Sequence, residues 1–336
     1  DVVHGFEKAT GLAIPYEVVA RRPGDVPKLE GCPQKAKAIL GWSAQRDLAQ
    51  MCRDGWAWQQ ANPLGYRNAH DPIGPLLLAG GGHSHALLLK RWAMTPRLRP
   101  KRGVVLVNRH PTALYSGMVP GLIAEIYRRD ELSINLPHLC DRAGVAFVQA
   151  EIIGVDAQRQ HLLLHERPPL RFGVLSLDVG AVTRNADNLS GVPIKPLEEA
   201  LHFLSLQDPK DPEPFRIVGA GPAGIEVALA LRRRWPHRAL EVQTRPEQLD
   251  AGTKAILRRA HIHCVTNASE HATLLCTGSR APSWLAESGF AVDHDGRVLT
   301  NPFLQLEGCL HLFASGDCAV MESQPRPASG VWAVRS

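Results

Sequence analysis

"PLLLAGGGHSHALLLKRW", Pro75–Trp92, runs from an apolar stretch through three glycines into an apolar segment with helical spacing. Pro75–Ala79 fits a short buried strand, and the residues after His85 fit a helix. Strand, glycine turn and helix in this order present free backbone N–H groups to an anion at the positive end of the helix. Gly80 permits the tight turn, and Gly82 lets the backbone approach a diphosphate. Gly81, His83 and Ser84 complete the loop. Two parts of the full fingerprint are missing. His85 stands at the third glycine, which predicts looser helix–strand packing. The next strand, "GVVLVNRH", ends in Asn108, where a ribose-binding carboxylate is expected. An amide oxygen can still accept from a ribose hydroxyl, without charge assistance. Taken alone, the stretch reads equally as a dinucleotide cradle or as a plain turn.

A second, complete motif resolves the ambiguity. "FRIVGAGPAGIEVALALRRRW" places Gly219, Gly221, Pro222, Ala223 and Gly224 between a strand and a helix. Its partner strand, "ALEVQTR", ends in Arg245 with no carboxylate, which favours a 2′-phosphate and so NADPH over NADH. The first glycines are 139 residues apart. The β-rich region 145–181 between them reads as a meander, with turns expected at Gly154–Asp156 and Pro168-Pro169. The sequence therefore predicts an α/β fold with two Rossmann-like dinucleotide-binding domains.

Composition agrees with this reading. The chain has 336 residues, 44% hydrophobic and 21% charged, enough for more than one domain with a buried core. The net charge of +5 forms no long basic block, which argues against nucleic acid. None of the seven cysteines forms C-x-x-C. That predicts reduced thiols in a cytoplasmic setting and excludes the simplest dithiol relay. His83/His85 and His261/His263 are possible metal pairs without a third ligand, so no metal is expected. No apolar run is long enough to span a membrane.

With four features in order, residues 74–336 resemble the pyridine nucleotide–disulfide oxidoreductase superfamily. The features are Gly80–His85, "LSLDVGA" (Leu175–Ala181, with Gly180), Gly219–Gly224 and "LFASGDCA" (Leu312–Ala319). The resemblance implies FAD on the first cradle and NAD(P)H on the second. Gly316 and Asp317 would meet the flavin ribityl and phosphate region, and Glu226 would face the nicotinamide. "YSGMVPG", "CTGSRAPSWL" and "RPASGVWAVR" look like the flavoprotein module attached to selenide, water dikinase, a relative of type II NADH dehydrogenases. There Tyr115, Gly117 and Met118 would cover the flavin ring, although loop packing explains Tyr115 and Met118 as well. The implied reaction passes hydride from NAD(P)H to flavin and on to a quinone-like or small acceptor, with peripheral membrane contact open. The kinase half of such a fusion and the family's C-terminal cap are not expected in this chain. Only seven residues separate Cys264 from Ala272, so a shortened NAD(P) domain is expected. The implied boundaries are 74–190 with 299–336 for FAD and 191–298 for NAD(P).

Residues 1–70 are of another kind. "PYEVVARRPGDV" reads as a strand and turn, and "PQKAKAILGW" and "AQRDLAQMCRDGWAWQQANP" read as two helices. These stretches resemble the C-terminal end of UDP-glucose 4-epimerase, which predicts a small α/β tail. The resemblance implies that Arg22 would meet the UDP diphosphate and Asp25 its ribose. The epimerase's catalytic Tyr-x-x-x-Lys half is not present, so a remnant without catalysis is expected, fused or truncated near Pro63–Pro75. Two alternatives stay open: an epimerase fragment, and a degenerate nucleotide-binding module without turnover.

Overall fold

The computed structural model describes residues 2–19, 31–61, 74–184, 189–245, 247, 249–266 and 271–325. Arg22, Asp25 and "RPASGVWAVR" lie outside them. The chain divides into two compact units, Asp1–Pro72 and Ile73–Ser336.

The smaller unit has three helices among its described residues: α1 (Val2–Thr10), α2 (Gln34–Leu40) and α3 (Leu48–Ala61). The last two fall where apolar spacing predicts them, whereas α1 was not expected. Helices α1 and α3 pack together, and Cys52 of α3 is buried. The strand expected from Tyr16 is not formed over 11–19, and Val18 and Val19 are exposed. Among the described residues no second strand lies in this unit to pair with it.

In the larger unit the chain alternates strand and helix. β1 (Leu76–Ala79), α4 (His83–Met94) and β2 (Val104–Asn108) come first. The short pair β3 (Thr112–Leu114) and β4 (Ser133–Asn135) brackets α5 (Val119–Ile123), and α6 (Leu136–Ala143) leads into β5 (Ala146–Gln149). An antiparallel meander follows: β6 (Ile152–Asp156), β7 (His161–Leu164) and β8 (Arg167–Arg171). Its turns lie at 157–160 and 165–166, not at the expected positions. Asp156 Oδ1 accepts from the Arg159 N–H at 2.9 Å and closes the first turn. Pro168 and Pro169 sit in β8, an edge strand, where its register with β7 shifts, so their missing N–H groups fall at an irregularity of the ladder.

β9 (Val174–Leu177) returns to the first sheet. β10 (Val182–Thr183) and β11 (Val192–Pro193) lead to α7 (Leu197–Ser205), β12 (Phe215–Val218), α8 (Pro222–Arg234) and β13 (Leu240–Gln243). Then come α9 (Ala251–Arg259), β14 (Ile262–Val265), β15 (Thr273–Leu275), β16 (Ser279–Arg280) and α10 (Trp284–Glu287). β17 (Val298–Thr300), β18 (Gln305–Leu306), β19 (Cys309–Ala314) and β20 (Ala319–Met321) finish the described chain.

Two sheets organise this unit. The first runs β20-β17-β18-β19-β9-β1-β2-β5, and the five strands from β19 to the β5 edge are parallel. The second, β11-β15-β12-β13-β14, is wholly parallel. Near-continuous apolar strands suit such sheets, because both faces are covered. Leu77, Leu78, Leu175, Leu177, Ile217 and Val242 are all buried. Helix α5 packs on α8, and its Val119 and Ile123 join the core of the second sheet although the chain places them in the first half. The antiparallel pair β10–β16 links the sheets. Among the described residues no helix is long and apolar enough to cross a membrane.

Candidate functional site

In each parallel sheet the strand order reverses beside the first strand. The chain leaves β1 for β2 on one side and returns as β9 on the other; β12, β13 and β15 repeat this. Ligands of open α/β sheets bind at such switch points, beyond the carboxyl ends of the strands. Both glycine motifs lie there.

A cleft of about 610 Å³ opens at the first switch point. Gly80, Gly81, Gly82, His83, Asn108, Gly180, Gly316 and Asp317 line it, so eight of the residues expected around the flavin are brought together. Gly80 has φ +94° and Gly180 has φ +71°, conformations that exclude most side chains. The Asn108 side chain is engaged with its own loop: Oδ1 accepts from the Gly81 N–H at 2.8 Å, and Nδ2 donates to His110 O at 2.8 Å. It therefore shapes the turn directly. Tyr115 stands edge-on to His83, with ring centroids 5.1 Å apart. Met118 packs against the core of the second sheet, and Gly117 lines the second cleft.

The expectation of loose packing at His85 is corrected. The ring is buried and bonded at both nitrogens, Nδ1 to Gly80 O at 2.7 Å and Nε2 to Ser176 Oγ at 2.8 Å. A carbonyl only accepts, so Nδ1 carries a proton, and in the neutral ring Nε2 accepts from the serine hydroxyl. The ring replaces the third glycine's close contact with a hydrogen-bonded bridge between turn and strand.

Asp178 was overlooked as a site residue. Its carboxylate is buried, and the N–H groups of Ser84 and His85 donate to it. It thus occupies part of the anion-seeking end of α4. Burial pushes its pKa up, opposed by the nearby histidines and these backbone bonds. An aspartate in the apolar "LSLDVGA" was the available signal. Burial also pushes the Cys318 and Cys276 thiols up to about 12, which keeps them protonated and unreactive.

The second cleft, about 970 Å³, is lined by Gly219, Gly221, Pro222, Ala223, Glu226 and Arg245. Gly224 lies beneath it, where a Cβ would come within 2.1 Å of Gly219 O. A Cβ on Gly221 would meet nothing within 4 Å, so the end of α8 faces open space. Among the described residues no group of three or more His, Cys, Asp or Glu is placed to hold a metal.

The residues fit a diphosphate dinucleotide at each cradle. Both N-capping glycines are extended, with φ −67° at Gly82 and −68° at Gly221, and neither can cap its helix with a side chain; at α4 the Ser84 and His85 N–H groups are taken by Asp178, whereas α8 opens toward empty space. His83 Nε2, on a residue of the first cleft, is buried without a hydrogen-bond partner.

Solved structures share this architecture. An NADH:rubredoxin oxidoreductase from Clostridium acetobutylicum aligns with a TM-score of 0.62 at 17% identity, over 77% of this chain and 72% of that one. A ferredoxin reductase from Rhodopseudomonas palustris gives 0.64 at 18% identity, over 78% and 74%. A reduced CoADR-RHD from Bacillus anthracis gives 0.64 at 18%, with 79% of this chain covering 56% of that one. The chain shares its fold with these three structures. No family model matches the chain. Among curated proteins, a stretch of 69 residues is 46% identical to UDP-glucose 4-epimerase of Bacillus subtilis, and 66 residues are 50% identical to that of Neisseria meningitidis serogroup C. The chain spans only a fifth of the length of these epimerases.

Proposed function

We propose that the larger unit is an FAD-dependent NAD(P)H oxidoreductase that passes electrons to a quinone-like or other small acceptor. One observation carries this reading: two glycine cradles at two switch points open into clefts with shared walls. When bound, the flavin would supply a two-electron acceptor and the nicotinamide a hydride. The chain's own part is positioning. The loop Gly80–Ser84 would receive the FAD diphosphate, and Asp317 would accept from a ribityl hydroxyl. The loop Gly221–Ala223 would receive the nicotinamide dinucleotide, with Arg245 beside a 2′-phosphate, which favours NADPH. Glu226 lines the same cleft near the end of α8 and would orient the nicotinamide. All seven cysteines are free, and those beside the clefts are buried, which supports direct passage of electrons to the acceptor.

A kinship with the flavoprotein module of selenide, water dikinase fusions, a cytoplasmic setting and peripheral membrane contact belong to the same proposal. For the smaller unit, the epimerase match supports Arg22 and Asp25 as a remnant UDP contact. The test is anaerobic addition of NADPH to FAD-loaded protein. The band near ~450 nm should bleach, and a soluble quinone should restore it. Protein that takes up no FAD, or flavin that stays oxidised with both NADPH and NADH, would overturn the reading.

A further inference from the structure

The two clefts meet at one place. Ser116, Lys195, Leu197 and Asp317 line both. Lys195 is the only cation of the four, and no sequence motif pointed to it. Its Nζ donates to Asp317 Oδ2 at 3.0 Å, with both side chains largely buried. Its backbone is fixed as well. The Lys195 N–H donates to Thr183 Oγ1 at 2.9 Å, and the threonine hydroxyl donates to Lys195 O at 3.3 Å. Thr183 is buried in β10, the strand that links the sheets. Lys195 is thus anchored where the sheets join and reaches across to the end of β19.

We propose that Lys195 is the positioning residue of hydride transfer, holding its ammonium at the seam where the transferred charge arrives. This rests on the oxidoreductase reading above. A hydride can pass only where the two clefts open onto one point. It carries one proton and two electrons, so the donor leaves as the oxidised nicotinamide cation and the accepting side gains one negative charge. A fixed cation in a partly desolvated wall counters such a charge far better than one in water. Asp317 holds the ammonium in place and balances it beforehand. Without Lys195 the Asp317 carboxylate would face the arriving charge with the same sign. A purely mechanical strap between the lobes would instead affect stability alone.

The test uses the FAD-loaded full chain as wild type, Lys195→Met and Lys195→Arg. FAD content, thermal midpoint, the reduced-to-oxidised flavin ratio against a reference dye, and the bleaching rate with NADPH are measured. K195M should keep its FAD. Its reduced-to-oxidised ratio should fall about tenfold, or about 30 mV for a two-electron couple. Bleaching should slow by roughly 10- to 100-fold, with NADPH affinity changed less than about threefold. K195R should recover both values to within about threefold. If K195M does not accumulate folded, K195M/D317N removes both charges and should lower the ratio in the same direction. An unchanged ratio and rate in the variant that folds, whatever its thermal midpoint, overturns the proposal while leaving the oxidoreductase reading intact. A wild type that binds no FAD, or is not bleached by NADPH, overturns that reading and the proposal with it.

Discussion

Gly80 and Gly219 begin two turns with nearly the same backbone and different surroundings. Their φ angles are +94° and +104°. A Cβ on either would lie 2.3 Å from a carbonyl oxygen of the neighbouring strand end, Asp178 O or Cys276 O. The turns diverge at the second glycine. A Cβ on Gly82 would lie 2.2 Å from Asp178 Oδ1, whereas one on Gly221 would meet nothing within 4 Å. They diverge again at the third position, where a bonded histidine ring stands in one and a glycine pressed on Gly219 O in the other. The backbone sets where an anion can bind. The side chain behind the turn sets how much of the helix end is left for it.

Exchanging the third-position chemistry should give the largest effects. Gly224→Ala forces a Cβ to within 2.1 Å of a backbone oxygen. It should lower stability by about 3 kcal/mol and abolish NADPH binding while FAD uptake survives. His85→Ala removes a buried ring and leaves Gly80 O and Ser176 Oγ unpaired. It should cost about 2–3 kcal/mol and weaken FAD uptake instead. Thermal unfolding and dinucleotide titrations check both; equal losses at both cradles would break the comparison.

Arg245→Ala addresses the coenzyme. NADPH affinity should fall about tenfold with NADH affinity unchanged, read by flavin bleaching at graded coenzyme concentrations. Equal losses for the two coenzymes would remove Arg245 from the 2′-phosphate.

The smallest effect is a pH slope. Asp178 is raised above its ordinary value of 3.8, so the folded state binds its proton more tightly than the unfolded chain. Its contribution therefore favours folding less as pH rises from the ordinary value through the folded one. FAD affinity should fall over the same window, because an ionised carboxylate opposes a diphosphate at the same helix end. Asp178→Asn should flatten both profiles; parallel profiles for variant and wild type would contradict this.

Much of this architecture was legible because glycine motifs and apolar strands are local signals. The two cradles and the β-rich insertion can be placed from their spacing alone. The meander turns could not, since Pro168 and Pro169 mark an edge strand as readily as a turn. The strand expected at Tyr16 depends on a partner strand, which no local pattern supplies. Asp178 and Lys195 escaped for a related reason. Each acts across the fold, Asp178 on α4 and Lys195 on the end of β19; a charge in the apolar "LSLDVGA" is the one local sign of the first, and the second has none.

Gly221→Asp tests most directly whether the two cradles hold different dinucleotides. The position has an ordinary φ and open space for a side chain, so the variant should fold. It places a carboxylate at the free end of α8, as Asp178 does at α4. The account predicts an intact flavin band after FAD loading and an NADPH response weakened by more than about 100-fold. Bleaching as in the wild type, or loss of FAD together with the NADPH response, would contradict it.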